Sequence, residues 1–120
     1  MEKLFSKSHE WVKIEGSKAQ IGLYDYAQQE LGDIVYVNLP EVGSDVQCGK
    51  AFTDIESVKA VSEVMSPVCG KVAAVNEELT DAPEKINECP DDAWIVEVEM
   101  TGKEDGLMTA EQYAEFIKTL

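Results

Sequence analysis

Residues 56–63 read Glu56-Ser57-Val58-Lys59-Ala60-Val61-Ser62-Glu63, and β-prone residues flank them on both sides. If residues 51–56 and 60–64 pair as antiparallel strands, Lys59 lies at the tip of a tight hairpin with its amine in solvent. A lysine at a β-turn is ordinarily a solvated surface charge. The rest of the sequence, however, offers no nucleophile–base pair, no cluster of metal ligands and no glycine-rich phosphate loop. An exposed lysine on a rigid acidic protein is the arrangement that a swinging covalent cofactor requires.

The segments around this hairpin have the pattern of a compact β protein. A near-continuous apolar run over 34–39 predicts a strand buried on both faces. Alternation of apolar and polar residues over 94–100 predicts a half-buried strand. Short β-prone runs separated by turn residues predict further strands, at the spacing of a barrel or sandwich. These runs are 45–48, 51–56, 58–64 and 68–75.

Two more elements are predicted before residue 34. The β-prone segments 11–15 and 19–23 form a hairpin that turns at Gly16-Ser17. Asp25-Tyr26-Ala27-Gln28 has the spacing of a capping box, which predicts a short helix over 26–31.

The C-terminal part of the sequence predicts helical structure. Residues 77–88 are acidic and interrupted by Pro83, which indicates a loop with a helical turn. Thr109 and Gln112 form a second capping box, and apolar residues follow at helical spacing. These residues are Tyr113, Phe116, Ile117 and Leu120.

Composition limits the classes of function. The 120 residues suffice for a single domain, 1–120, and their formal charge is −14, with lysine as the only basic residue type. We therefore expect no binding to nucleic acid or to a membrane surface, and we expect attraction to basic patches on partner proteins. No membrane span or signal peptide is recognisable, so the predicted location is the cytoplasm, or the mitochondrial matrix for a mature eukaryotic form.

The cysteines and the single histidine suggest no chemistry of their own. Cys48, Cys69 and Cys89 are widely spaced and lack a C-x-x-C pattern. We expect no disulfide framework and no metal site, and predict small, partly buried thiols in a reducing compartment. A catalytic pair of a cysteine with His9 stays open, although nothing in the spacing supports it.

The sequence resembles the H proteins of the glycine cleavage system, a family of lipoyl carriers. The resemblance runs in order from about residue 8 to residue 117 and includes the segment around Lys59. Its segments are Ser8–Val12, Asp25–Gln28, Leu31–Val37, Leu39–Gly43, Glu56–Ser62, Ser66–Gly70, Val75–Leu79, Trp94 and Glu111–Tyr113.

The resemblance implies a mainly β fold, the barrel-sandwich hybrid of biotinyl and lipoyl carriers, with short helices and a C-terminal helix. It implies lipoate in amide linkage to Lys59, attached by a lipoate ligase or a lipoyl or octanoyl transferase that recognises Glu56, Ser57, Val58 and Ala60. The protein itself would not be an enzyme and would have no catalytic residue. It would accept an aminomethyl group from glycine decarboxylase, deliver it to the aminomethyltransferase, and be reoxidised by dihydrolipoamide dehydrogenase.

The resemblance further implies that the loaded arm folds back against the carrier. The matching positions are Ser8 and Glu10 on one wall and Glu63 on the other, where aspartate is common in the family. A carboxylate there can hydrogen-bond the charged aminomethyl nitrogen.

Three alternatives stay open at this point. An H-like carrier could serve in lipoyl relay or in lipoate-dependent sulfur metabolism instead. A biotin carrier is disfavoured, because Val58 and Ala60 stand where that class has methionines. A purely structural domain would leave Lys59 unmodified.

Overall fold

The computed structural model describes residues 2–7, 9–24, 32–89, 92–103 and 106–119. These residues form nine strands and three short helices. The elements are β1 (Glu2–Phe5), β2 (Glu10–Glu15), β3 (Lys18–Leu23), β4 (Ile34–Val37), β5 (Asp45–Val46), β6 (Ala51–Ser57), β7 (Val61–Met65), β8 (Val68–Val75), α1 (Glu78–Asp81), α2 (Lys85–Glu88), β9 (Trp94–Lys103) and α3 (Ala110–Ile117).

The strands form two antiparallel sheets. Six strands make one sheet in the order β1-β2-β3-β9-β8-β5, and three make the other in the order β4-β6-β7. The bulge between Cys69 and Gly70 bends β8 where it pairs with β9. Gly70 is required there, because a Cβ at this position would collide with the carbonyl of Glu99. The predicted mainly β class is confirmed.

The two sheets share one apolar core. Val12, Ile21 and Val98 from the large sheet are fully buried, as are Ile55 and Val64 from the small sheet. Because alternate residues of each strand point to the same side, one face of each sheet enters this core. The small sheet, which carries residues 51–65, is therefore held rigidly against the large one.

Both predicted hairpins are confirmed. β2 and β3 pair from Glu10↔Leu23 to Glu15↔Lys18, and β6 pairs with β7. The α3 helix is confirmed with its capping box, because Thr109 and Gln112 exchange both hydrogen bonds. The predicted helix over 26–31 lies outside the described residues.

The prediction for residues 34–39 was wrong in two respects, the end of the strand and its burial. The strand β4 ends at Val37, and it is not buried on both faces: Val35 is 53% exposed and Tyr36 is 45% exposed. The reason is that only one face of the small sheet enters the core: Ile34 and Val37 point into it, while the register shift between Ile34 and Tyr36 leaves Val35 and Tyr36 outside. One side of the strand therefore faces outward.

The acidic segment folds into the two helices α1 and α2 on either side of Pro83. Each of them anchors one fully buried side chain, Leu79 and Ile86, in the core. Glu78 hydrogen-bonds Lys85 at 3.1 Å and raises the pKa of that ammonium. Of the helices in the part of the chain that the structure describes, none is long and apolar enough to cross a membrane.

The cysteine prediction was wrong. Cys48 and Cys69 form a disulfide with their Cα atoms 4.9 Å apart, while Cys89 is a free, exposed thiol. Pairing of β5 with β8, with Val46 opposite Gly70, brings the two cysteines together across 21 residues. The sequence spacing carries no signal of this contact, because strand pairing rather than chain separation creates it.

Candidate functional site

Lys59 lies in the turn between β6 and β7, with an exposed side chain. The last paired residues of the hairpin are Glu56 and Val61, so the turn spans residues 57–60. Val58 and Ala60, on either side of the lysine, are exposed as well. The amine is thus displayed at the end of a two-stranded projection, as the sequence predicted.

The side chain of Ser57 organises this turn. Its hydroxyl oxygen accepts hydrogen bonds from the backbone N–H of Lys59 at 3.2 Å and of Ala60 at 3.1 Å. The same hydroxyl lies 3.1 Å from the carbonyl of Ala60, to which it donates, and the N–H of Ser57 donates to that carbonyl at 2.8 Å. A serine whose side chain replaces backbone partners in this way fixes a turn that the backbone alone would leave loose.

The segment 32–34 supports the turn from one side. The carbonyl of Asp33 accepts a hydrogen bond from the N–H of Val58 at 3.0 Å. Gly32 has a left-handed backbone with φ of 75°, and a Cβ there would lie 3.4 Å from Cε of Lys59. The aliphatic part of the lysine side chain therefore packs over Gly32, while its amine stays in solvent.

Apolar and acidic side chains surround the lysine on the small sheet. Val58 and Val61 are 64% and 62% exposed, an unusual degree for large aliphatic residues close together. Glu56 at the end of β6 is half-buried, and Glu63 in β7 is exposed. A partner protein that binds the tip of this hairpin would contact apolar side chains next to negatively charged ones.

The predicted arm-docking residues have different surroundings. Glu10 is 1% exposed; its carboxylate accepts hydrogen bonds from the hydroxyl of Ser6 at 2.6 Å and from the N–H of Met65 at 3.3 Å. Glu63 lies two residues before Met65 on β7, so both glutamates belong to the neighbourhood of this strand. Ser8 lies outside the described residues.

The partners that fix these groups were not predictable from the sequence. Ser6 lies only four residues from Glu10, but no sequence pattern marks its hydroxyl as the partner of that carboxylate. The segment 32–34, which supports Val58, is distant in sequence, and no periodicity reveals that contact. Gly32 is the one signal in the sequence, because a glycine directly after the predicted helix 26–31 is typical of a residue with a left-handed backbone.

Comparison with known proteins gives consistent matches over nearly the whole chain. The family described as "Glycine cleavage H-protein" matches residues 3–120. The glycine cleavage system H protein of Geobacillus sp. (strain WCH70) is 52% identical over 117 residues, which are 95% of this chain and 92% of that protein. The probable glycine cleavage system H protein of Pyrococcus abyssi (strain GE5 / Orsay) is 53% identical over 120 residues, with coverage of 97% and 90%.

A solved structure gives the same result for the architecture. The crystal structure of a glycine cleavage system H protein from Mycobacterium marinum superposes with a TM-score of 0.90 at 33% identity, covering 98% of this chain and 97% of that one. The match confirms the predicted barrel-sandwich fold. Together with the family match, it shows that the chain belongs to the glycine cleavage H-protein family, the non-catalytic carrier components of the glycine cleavage system.

Proposed function

We propose that Lys59 carries lipoate in amide linkage and that the protein shuttles an aminomethyl group within the glycine cleavage system. The observation that carries this proposal is the exposed amine at a turn fixed by Ser57 and supported by Asp33. A ligase must reach the amine without unfolding the carrier, and this geometry permits it. Amide formation removes the ammonium charge, which takes the formal charge from −14 to −15.

The residues around the lysine fit such a group. The exposed valines Val58 and Val61 offer apolar contacts to an aliphatic arm. The small side chain of Ala60 leaves access to the amine, and Glu56 adds a negative charge at the base of the turn. We assign Glu56, Ser57, Val58 and Ala60 to recognition by the lipoylating enzyme, with Ser57 acting through the shape of the turn.

When bound to Lys59, lipoate would supply a disulfide that is reduced as it takes up the aminomethyl group and is left as a dithiol after the group is passed on; dihydrolipoamide dehydrogenase would reoxidise that dithiol. The partners that this chemistry requires are glycine decarboxylase, the aminomethyltransferase and dihydrolipoamide dehydrogenase. All would share the compartment of the carrier, the cytoplasm or, for a mature eukaryotic form, the mitochondrial matrix. Tethering brings the same reactive group to three active sites in turn at a high local concentration. The role of the protein is to present the lipoyl group: its rigid body stays outside each partner enzyme, while the modified side chain of Lys59 extends into the active site.

We further assign the docking of the loaded arm to the neighbourhood of β7. Glu63 and Met65 lie two and four residues beyond Val61, which is about 7 and 13 Å along an extended strand. Glu63 presents an exposed carboxylate to the charged aminomethyl nitrogen. Glu10, whose carboxylate already accepts from Ser6 and Met65, shapes the wall at the far end. Ser8, which the resemblance assigns to the same wall, stays a proposal from the sequence.

Mass spectrometry of the intact protein tests the attachment. We expect one lipoyl adduct after incubation with lipoate, ATP and a lipoate ligase, and peptide mapping to place it on Lys59. Lys59→Arg should accept none, while Lys50→Arg, a matched exposed lysine at the opposite end of β6, should be modified as the wild type is. An adduct that persists in Lys59→Arg would refute the assignment.

A transfer assay separates the glycine cleavage shuttle from another lipoyl carrier. The loaded wild-type protein should support glycine-dependent aminomethyl transfer with glycine decarboxylase and the aminomethyltransferase. A protein that is fully lipoylated yet inactive with both enzymes would exclude the shuttle and leave a lipoyl relay or a role in sulfur metabolism.

A further inference from the structure

Asn87 bridges two backbone groups far from it in sequence. Its side-chain oxygen accepts a hydrogen bond from the N–H of Ile34 at 2.9 Å, and its side-chain nitrogen donates to the carbonyl of Gly32 at 2.8 Å. Asn87 belongs to α2, which Ile86 anchors in the core with no exposed surface. The amide thus fastens the segment 32–34 to a fixed point of the molecule.

That segment contacts the lysine turn on its other side. Between the two groups that Asn87 holds, the carbonyl of Asp33 accepts from the N–H of Val58 at 3.0 Å. Gly32 forms the surface over which the side chain of Lys59 packs, with a Cβ position 3.4 Å from Cε. A continuous chain of contacts therefore runs from Asn87 through residues 32–34 to Lys59.

We propose that Asn87 is a positioning residue for Lys59: it holds segment 32–34 as the support that fixes the lysine turn for modification. This inference rests on the proposed lipoyl attachment. Ser57 fixes the turn internally, but it does not fix the orientation of the turn relative to the body of the protein. Pairing of Ile34 with Ser57 fixes the last residue of β6, and the bond from Val58 to Asp33 extends this support into the turn. That extension is only as rigid as the segment 32–34 that Asn87 holds.

The backbone groups that Asn87 contacts explain why an asparagine is needed. The segment presents one carbonyl and one N–H to α2, and a planar amide supplies the matching donor and acceptor at once. Aspartate would keep the acceptor for Ile34 but would place a carboxylate oxygen against the carbonyl of Gly32. Alanine would remove both bonds.

The test compares Asn87→Ala with Asn76→Ala in the full chain. Asn76 is a matched control, because it is also half-buried and its amide also bridges two backbone groups, the carbonyl of Trp94 at 2.9 Å and the N–H of Glu78 at 3.3 Å. Each variant loses one side-chain bond to a backbone carbonyl and one to a backbone N–H, so a general loss of stability would affect both. Each variant is measured at the same number of degrees below its own melting temperature.

Two readouts are needed. Amide hydrogen exchange at Val58 should accelerate about tenfold in Asn87→Ala and change little in Asn76→Ala. The kcat/KM of a lipoate ligase for the unmodified protein should fall severalfold in Asn87→Ala alone. The near-isosteric Asn87→Asp should shift both readouts in the same direction, and it replaces the alanine variant if that one does not fold.

The proposal is overturned if exchange at Val58 is unchanged, if ligation is unaffected while Val58 is deprotected, or if both asparagine variants behave alike. Failure of the proposed function has a different signature. In that case the wild-type protein itself takes no lipoate at Lys59, and the exchange data still report whether Asn87 fixes the turn.

Discussion

Ser57 is the residue whose side chain contributes most directly to the local geometry of Lys59. Its hydroxyl accepts from the N–H groups of both Lys59 and Ala60. We expect Ser57→Ala to cost about 1 kcal/mol of stability and to speed amide exchange at these two residues, because both N–H groups lose their partner. Heteronuclear NMR exchange measurements check this.

Ser62→Ala is the matched control for that experiment. Ser62 is a half-buried serine of the same hairpin. It lies in β7, where it pairs with Ile55 of β6, and not in the turn. Equal deprotection of the turn in both variants would show that the Ser57 hydroxyl does not organise it.

Glu10 is a buried acidic residue whose hydrogen bonds stabilise the fold. We expect Glu10→Ala to lower the free energy of unfolding by about 2–3 kcal/mol, because the hydroxyl of Ser6 and the N–H of Met65 would lose their acceptor in a buried site. Urea denaturation of the unmodified protein measures the change. Glu63→Ala, at an exposed position, should stay within about 0.5 kcal/mol of wild type. Equal losses would contradict the assigned burial.

The Cys48–Cys69 disulfide is the feature at the scale of elements that a sequence pattern could not reveal. It closes a loop whose ends are 21 residues apart, and that loop contains the entire β6–β7 hairpin with Lys59. At the base of the hairpin, Gly49 and Lys50 also exchange backbone bonds with Ser66, at 2.8 and 2.9 Å. The disulfide therefore restrains the end of the hairpin opposite the lysine.

We predict that removing this disulfide lowers stability by about 3 kcal/mol, because a loop of this length gains that much conformational entropy in the unfolded chain. The double variant Cys48→Ala/Cys69→Ala and reduction of the wild type should give the same loss in chemical denaturation. Cys89→Ser, at an exposed free thiol, should change little.

A thiol titration of the denatured, unreduced protein provides a direct check. One reactive thiol, that of Cys89, is expected before reduction and all three cysteines after it. Three thiols before reduction would contradict the bond.

For the molecule as a whole, the sequence predicted what depends on local pattern. Alternation and turn residues identified the two hairpins, and the capping box of Thr109 with Gln112 identified α3. Contacts between distant segments were missed, because no period links them. The bond from Met65 to Glu10 spans 55 residues, and the bond from Ile34 to Asn87 spans 53. Both depend on how the sheets and α2 pack, which the strand and helix patterns leave undetermined.

The last prediction concerns the charge of the whole molecule. With a formal charge of −14, the protein should associate with a basic partner surface faster than a neutral carrier would, and salt should remove that advantage. We expect the association rate with the aminomethyltransferase to fall severalfold between about 0.05 and 0.5 M salt. The decrease of the association rate with salt concentration should be less steep in Glu56→Gln/Glu63→Gln, which removes charge beside Lys59. It should remain steeper in Glu15→Gln/Glu99→Gln, which removes equal charge from the large sheet. Stopped-flow measurements distinguish the cases: equal slopes would place the effect in net charge alone, and a rate independent of salt would exclude electrostatic steering.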